Sequence, residues 1–407
     1  MSCPKYSRRK FLGLSAGAMA MTPCMMNRAW GEVSWDRASG ALTRPLKSAI
    51  HSQSTAGHVN NAKVAIVRCL NYGAKVHPAM KRMFDLLGGI KQLVANKTVT
   101  VKINTTTTNF SEYLGRPVGE TFMTHPDTAL ALLHLLIEAG AKRVRFVEST
   151  VKAENLDTTL KRGKWDIPAF IAAGKHIEFE NTRNLGDGKH YSHMKVPHGG
   201  RIFSSFEFNH SYEDTDVMIS LCKLKDHITA GVTLTMKNLF GLTPNSLYGG
   251  QAGSEKALQG RMPLHGLPKF DHLELPGIKK EQRQYGDPGY SVPNIITDIN
   301  ATIPIHLGII DGITSMSGAE NPGKGLKDSL NQFVAPGIIL AGFNPVSTDA
   351  VGMAVMGYDN PRAELGSWPF KECDNHILLA EQAGLGIADL DQIDVRGMTI
   401  DEAFYPY

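Results

Sequence analysis

The stretch Thr124–Ser149 reads THPDTALALLHLLIEAGAKRVRFVES. Thr124 stands where an N-cap is expected, Pro126 falls in the first turn, where its missing N–H is no loss, and Asp127 takes the capping-box position. Gly140 fits the left-handed residue that follows a helix. Between these ends the residues are apolar nearly all round, apart from a stripe of Asp127, His134 and Glu138. That is the pattern of a helix largely buried against a sheet. The KRVRFVES that follows reads as a strand. Upstream, KTVTVKIN alternates Val99, Val101 and Ile103 with polar partners, the period of a strand. Strand, helix and strand together make a βαβ crossover, which should be right-handed.

Working outward, the same alternation recurs. KVAIVRC, Lys63–Cys69, opens the folded part as a strand, and HPAMKRMFDLLGGIKQLV follows with helical periodicity. Residues 189–210 read as a hairpin turning at HGG. DVMISLCKL is a strand, and AGVTLTMKNLFGL a helix or tight apolar turn-helix. VPNIITDINATI is a helix, HLGIIDG and GIILAG are strands, and STDAVGMAVMGY is a helix capped by Ser347 or Thr348. Strands alternating with helices predict an α/β fold: a mainly parallel, possibly mixed, sheet with helices on both faces. Residues 249–290, rich in Gly, Pro and charge, form the longest irregular stretch and are expected to act as a lid-like insertion.

The chain has 407 residues, 42% hydrophobic and 20% charged, enough apolar residues for a large core and no composition that would argue disorder. Residues 1–30 hold Lys5, Arg8, Arg9, Lys10 and Arg28 and no acidic residue. The formal charge of +4 therefore belongs to this segment. Nothing basic is left to suggest nucleic acid or an anionic membrane as partner. SRRKFL, ahead of a modest apolar run from Phe11 to Met21, is the pattern read by the twin-arginine export machinery. The run is too short to span a bilayer, which takes about 20 apolar residues. The expected organisation is a twin-arginine signal peptide over 1–30, a polar linker over 31–61, and one catalytic or binding domain over 62–407. The mature protein is expected to be periplasmic, with no stable membrane span. Cys69, Cys222 and Cys373 lie far apart and no C-x-x-C occurs. A self-ligated iron–sulfur cluster, which takes about four thiolates, is not expected; the three read as small buried hydrophobes, with a disulfide between two of them open.

In open α/β sheets ligands bind beyond the carboxyl ends of the strands. Polar residues collect there. Lys102 and Asn104 end one strand, Glu148 and Ser149 the next, and Lys225, Asp226 and His227 a third. Asp311 ends a fourth, and the last leads through Asn344 to Asp349. Lys225 and His227 are two apart and share a side in extended backbone. Thr233 and Lys237 are four apart and share a helix face.

KIN, THPDTALALLHLLIEAGAKRVRFVES, DVMISLCKLKDHITAGVTLTMKNLFGLTP, HLGIIDGITSMSG and AGFNPVSTDAVGMAVMG occur in that order. Together they closely resemble the domain-of-unknown-function 362 family, from about residue 62 to the C-terminus. The Lys-Leu-Lys-x-His, Gly-x-Thr and Lys-Asn-x-x-Gly series is the most specific part. The resemblance marks Lys102, Asn104, Lys225, His227, Thr233, Lys237, Asn238 and Asp311 as site residues. It implies a fold and a site but no reaction. Some relatives append a ferredoxin-like domain with cysteine clusters, which this chain lacks.

Ammonium groups, a histidine and helix N-termini suit a carboxylate, phosphate or enolate. Lys225, His227, Lys237 and Asp311 are the expected catalytic residues, with His227 as general base or metal ligand, oriented by Asp311 or Glu148. Lys102, Asn104, Thr233 and Asn238 would contact substrate. A divalent metal could be held by His227 with His265, which lies in the expected lid with His272. His190, His193 and His198 read as surface residues, and His125 as a helix-start residue. No H-E-x-x-H, nucleophile elbow, Walker loop or dinucleotide fingerprint is present in the expected mature chain. Three readings follow: an exported enzyme acting on a small anionic molecule, a periplasmic metal- or cofactor-binding or accessory protein, and a redox partner.

Overall fold

The computed structural model describes residues 62–106, 111–151, 155–279, 281, 286–318 and 331–407. The expected signal peptide and linker lie outside the described residues.

Eight strands form one sheet: β1 Lys63–Arg68, β2 Thr98–Lys102, β3 Arg143–Glu148, β4 Ile177–Asn181, β5 Val217–Lys223, β6 Leu307–Gly312, β7 Ile338–Gly342 and β8 Asp394–Gly397. They lie in the order β8-β1-β7-β6-β5-β2-β3-β4. β7 runs antiparallel to both its neighbours, β1 and β6, and every other neighbouring pair is parallel. The sheet is thus mainly parallel and mixed at one strand. The helices that bear on the two faces and the site are α1 Val76–Leu87, α2 Pro126–Glu138, α3 Leu234–Asn238, α4 Pro288–Thr302, α5 Pro345–Val355 and α6 His376–Gln382.

The period of two along each strand builds two cores. Val99, Val101, Ile219, Leu221, Ile309 and Ile339 point to one side, where Met80, Phe84, Leu132 and Leu136 of α1 and α2 cover them. Met218, Cys222, Ile310, Ile338 and Leu340 point to the other, where residues of α3, α4, α5 and α6 pack. Both faces are covered, which is why β7, and β5 apart from Ser220 and the terminal Lys223, are apolar on both sides rather than alternating. The outermost strands are the least buried, β4 half-buried and β8 mostly exposed, and they carry charge, Glu178 and Glu180 on β4 and Asp394 and Arg396 on β8, which blunts edge pairing.

Two helix starts differ from the sequence reading. His125, not Thr124, caps α2: its ring Nδ1 accepts the Asp127 N–H at 3.1 Å. Thr124 is one residue early and serves the sheet, its hydroxyl accepting from Asn104 N at 2.8 Å and donating to Leu221 O at 3.1 Å. Asn344, not Ser347 or Thr348, caps α5, accepting from Ser347 N at 3.0 Å. The first helical run stops at Gly88 and Gly89, whose φ of 95° and 88° suit glycine and end α1. The hairpin turning at HGG is present, with Ser192–Lys195 against Ser205–Phe208.

The described part of the expected lid is tied to the body. Arg261 donates to Thr243 O, Ser149 O and Gly241 O at 2.8, 3.0 and 3.0 Å, Leu264 and Leu275 are buried, and Tyr248 OH donates to Pro276 O at 3.3 Å. These contacts give a closing motion no support. No helix among the described residues is long and apolar enough to cross a membrane.

Candidate functional site

β2, β3, β5 and β6 are parallel, so their carboxyl ends share one edge, and the register decides which side chains meet there. Lys102 lies opposite Ser220 and Lys223 opposite Asp311. Alternation sends the first pair to the α3 face and the second to the α2 face. The edge therefore carries two buried networks, one on each side of the sheet.

On the α3 face, Lys102 Nζ meets Glu148 Oε1 at 2.6 Å, both side chains almost wholly buried. Lys102 also donates to Ile103 O at 2.6 Å and to Asn238 Oδ1 at 3.4 Å. Glu148 accepts from Thr105 N at 2.8 Å, Thr105 Oγ1 at 3.2 Å and Ser149 N at 2.9 Å. Burial pulls the lysine below its ordinary value, and Glu148 offsets that pull. Gly241 leaves room beside this pair: a Cβ there would come 2.9 Å from Lys102 Nζ and 3.3 Å from Glu148 Oε1, so the ammonium would have to shift. Asn238 links the strands, donating to Lys102 O and Ser220 Oγ at 3.1 Å each and accepting from Asn104 Nδ2 at 3.0 Å. Asn104 Oδ1 in turn accepts from Lys225 Nζ at 3.0 Å. Lys225, 0% exposed, donates further to Phe122 O at 3.0 Å and Thr106 Oγ1 at 3.3 Å.

On the α2 face, Lys223 Nζ lies 3.3 Å from Asp311 Oδ2 and donates to Tyr72 OH at 2.7 Å. Tyr72 OH donates to Asp311 Oδ1 at 3.1 Å and Thr128 Oγ1 to Oδ2 at 2.9 Å. Ile313 N completes the carboxylate at 3.1 Å. The His125 ring stacks on Tyr72 at 3.5 Å. Burial, reinforced by Lys223, pushes this histidine down to about 3. Burial also pulls Lys223 down, and Asp311 offsets it.

His227 sits in a two-residue ladder, Asp226–His227 against Gly231–Val232. Its ring Nδ1 accepts from Thr229 N at 3.1 Å. Thr233 follows the ladder, donates N–H to Lys225 O at 2.9 Å, and has a buried hydroxyl with no hydrogen-bond partner among the described residues. α3 starts just after it, because Asp349 accepts from Thr235 N at 2.8 Å and Met236 N at 2.9 Å. Asp349 is thus inside α5 and caps α3. Burial pushes its carboxyl up to about 7, against those hydrogen bonds. Lys237 on α3 is 9% exposed, with its ammonium 5.8 Å from the Phe240 ring. His265 packs edge-on against the same ring at 5.6 Å.

The structure therefore brings Lys102, Asn104, Lys225 and Asn238 into one bonded network and sets Lys237 and His265 on a shared aromatic ring. It does not bring Asp311 to them: that carboxylate is on the opposite face, held by Lys223, Tyr72 and Thr128. Glu148 is likewise engaged by Lys102, Thr105 and Ser149. Among the described residues no group of three or more His, Cys, Asp or Glu is placed to hold a metal ion. Cys69, Cys222 and Cys373 are free and buried. Burial pushes the Cys69 and Cys373 thiols up to about 11 and 12, as expected of small hydrophobes. His193 pairs with Glu207 at 2.6 Å on the hairpin surface.

Four residues escaped the sequence reading as site groups: Tyr72, Lys223, Arg261 and His376. Lys223 had a signal, since it falls two residues before Lys225 on the strand end; its partner depends on register. His376, 0% exposed, stands at the start of α6 behind Asn375, which caps it. Arg261, brought in by the long irregular stretch, lies within electrostatic range of Lys102, as does Lys237.

A family model described as Domain of unknown function (DUF362) matches residues 99–354, from β2 to the last turn of α5. A thylakoid-associated protein of Synechocystis sp. is 27% identical over 191 residues, 45% of this chain and 51% of that protein. The chain thus spans about half the length of this curated relative. A crystal structure of a Thermotoga maritima protein aligns over 68% of this chain and 57% of its own, with a TM-score of 0.33 and 12% identity, a likeness that carries no argument.

Proposed function

The chain belongs to the Domain of unknown function (DUF362) family, and we propose that it is an exported, periplasmic protein that binds and acts on a small carboxylate or phosphate at the carboxyl edge of its sheet. One observation carries the reading: cationic side chains crowd the α3 side of that edge. Lys102 lies within electrostatic range of Lys237 and Arg261 and is tied to Lys225 through Asn238 and Asn104, His227 follows Lys225 by two residues, and Glu148 and Asp311 are engaged by Lys102 and Lys223. An anion entering this dry region meets charge that water does not screen. Lys225 shapes the network through three oxygens, Lys237 supplies charge to the ligand, and His227 is the proton acceptor.

Calorimetric titration of the mature chain with acetate, glycolate, phosphate and sulfate tests the binding. Lys237→Met should weaken the bound anion about tenfold, the loss of one charge-assisted contact, with little change in melting temperature. Lys225→Met should lower stability as well as affinity. Failure of every anion to bind wild type removes the reading. Export is tested separately: Arg8→Lys with Arg9→Lys should retain the protein in the cytoplasm, and unchanged export would remove that part.

A further inference from the structure

Two features that weaken a fold stand side by side at the start of α3. Leu234, wholly buried, has φ of +42°, a left-handed backbone that a bulky side chain rarely adopts. Beside it Asp349 is wholly buried too. Glu148 has Lys102 and Asp311 has Lys223, whereas Asp349 forms no ion pair among the described residues. Its partners are instead the two residues that follow the strained one. Oδ1 accepts from Thr235 N at 2.8 Å and Thr235 Oγ1 at 2.5 Å, and Oδ2 from Met236 N at 2.9 Å. Strained backbone and uncompensated buried charge persist where function retains them.

The bonds continue into the anion site. Thr235 O accepts from Ser220 Oγ at 2.9 Å, and Ser220 Oγ from Asn238 Nδ2 at 3.1 Å. Asn238 Oδ1 accepts from Asn104 Nδ2 at 3.0 Å and Lys102 Nζ at 3.4 Å. Asn300 Nδ2 holds the Met236 carbonyl at 3.0 Å. The first residues of α3 therefore fix where Lys237 and Asn238 stand. Resting on the anion-binding reading, we propose that Asp349 is the positioning residue of that site: as a carboxylate it clamps the start of α3 and keeps Lys237 and Asn238 in their binding pose, and its protonation loosens them. The reason is a count of donors. Three converge on two oxygens, and only a carboxylate accepts all three without bringing a hydrogen of its own. Protonated, or replaced by asparagine, the group sets a donor against Thr235 or Met236. One bond to α3 is then lost and the strained turn relaxes. Burial raises the carboxyl to about 7, against its three bonds, and no ionised side chain of α3, α6, β1 or β6 acts on it. The Cys222 thiol on β5 feels its charge.

Sulfate keeps its charge from pH 5.5 to 8 and serves as the probe, titrated calorimetrically into wild type and Asp349→Asn. Asparagine stands for the protonated acid. The two proteins should therefore bind sulfate about equally at pH 5.5, and wild type about tenfold more tightly at pH 8. His227 and the other titrating groups are common to both and leave the ratio unchanged. Stability should run the opposite way. A carboxyl whose folded value is raised stabilises while protonated and loses that contribution as pH rises, so the wild-type melting temperature should fall relative to Asp349→Asn over the same range. A role in packing alone would give a ratio independent of pH. Equal affinities at pH 8, or a tenfold ratio already present at pH 5.5, overturn the proposal and leave the anion reading in place. Failure of sulfate, phosphate, acetate and glycolate alike to bind wild type removes both. If Asp349→Asn does not fold, wild type decides: exchange of the Thr235 and Met236 amides, corrected for the intrinsic rate, should slow from pH 5.5 to 8 relative to Leu132 in α2, and unchanged relative protection overturns the proposal.

Discussion

Lys102 and Glu148 form a pair whose two members depend on each other unequally. Glu148 keeps three other donors if the ammonium is removed, whereas Lys102 would retain one carbonyl and one amide oxygen. Breaking a buried ion pair by deleting one partner costs about 3–5 kcal/mol. Lys102→Met should therefore lose toward 3 kcal/mol and Glu148→Gln more, while the double variant recovers part of the loss; urea unfolding of the three measures it. Titration adds a second test. His125 and His376 are both held near 3, by burial first and then by Lys223 in one case and by Lys237 and His227 in the other. Above about 6.5, the ordinary histidine value, both are neutral folded or unfolded. As pH falls from there toward 3 the unfolded chain takes up protons that the folded chain refuses, so stability falls, by about 1.4 kcal/mol per pH unit for each ring. Asp349, raised to about 7, acts oppositely, its contribution being full below about 4 and lost as pH rises toward 7. It is common to wild type and His376→Phe, so the difference between their stability curves should carry the slope of one histidine between pH 6 and 4. A flat difference would mean that His376 takes up its proton in the folded state. At this scale the sequence exposed the residue types but not their partners. Lys225, Asn104 and Asn238 were legible as polar residues at strand ends. That Asp311 serves Lys223 on the far face was not, because it follows from a register between β5 and β6 that no local pattern encodes.

The hairpin that carries His227 depends on one glycine for two separate reasons. Gly231 has φ of +70°, and a Cβ on it would stand 2.5 Å from the Phe370 ring. Gly73 has φ of +78° with nothing within 4 Å of such a Cβ. Backbone strain alone costs an L-residue about 1–2 kcal/mol, and overpacking a buried contact adds about 1–3 kcal/mol. Gly231→Ala should thus lower the unfolding free energy clearly more than Gly73→Ala. It should also disturb the His227 and Phe370 resonances, which Gly73→Ala leaves in place. Equal losses would show that Phe370 yields without strain. Elements themselves were read well where they are long and periodic: α2 and its flanking strands appear where their spacing puts them. Their ends were less legible. Thr124 and His125 can each cap the same helix, and which does so is settled by Thr124 being claimed by Asn104 and Leu221. The direction of β7 was equally hidden, since an apolar five-residue run reads the same both ways.

The residues matched by the family model stop short of the cooperative unit. β7 pairs with β1 through five residue pairs and with β6 through five more, and β1 pairs on its other side with β8. Both β1 and β8 lie outside residues 99–354. So does the C-terminus, where Tyr407 OH donates to Leu224 O at 2.6 Å, between Lys223 and Lys225. A chain cut to 99–354 would expose the apolar edge of β7, an aggregation hazard. It would also lose α1, which closes one core, and α6, which helps close the other, and free the Leu224 carbonyl at the centre of the site. Such a chain should give no cooperative urea transition and should aggregate, while residues 62–407 unfold in a single step with coincident far-UV circular dichroism and tryptophan signals. A fragment 99–354 that unfolded cooperatively would place the stability within the matched region alone. The expected result instead makes the segments flanking the matched region part of the site's support. The site then depends on segments that the family pattern does not contain, because the chain between Lys223 and Lys225 is held by Tyr407, outside the matched residues.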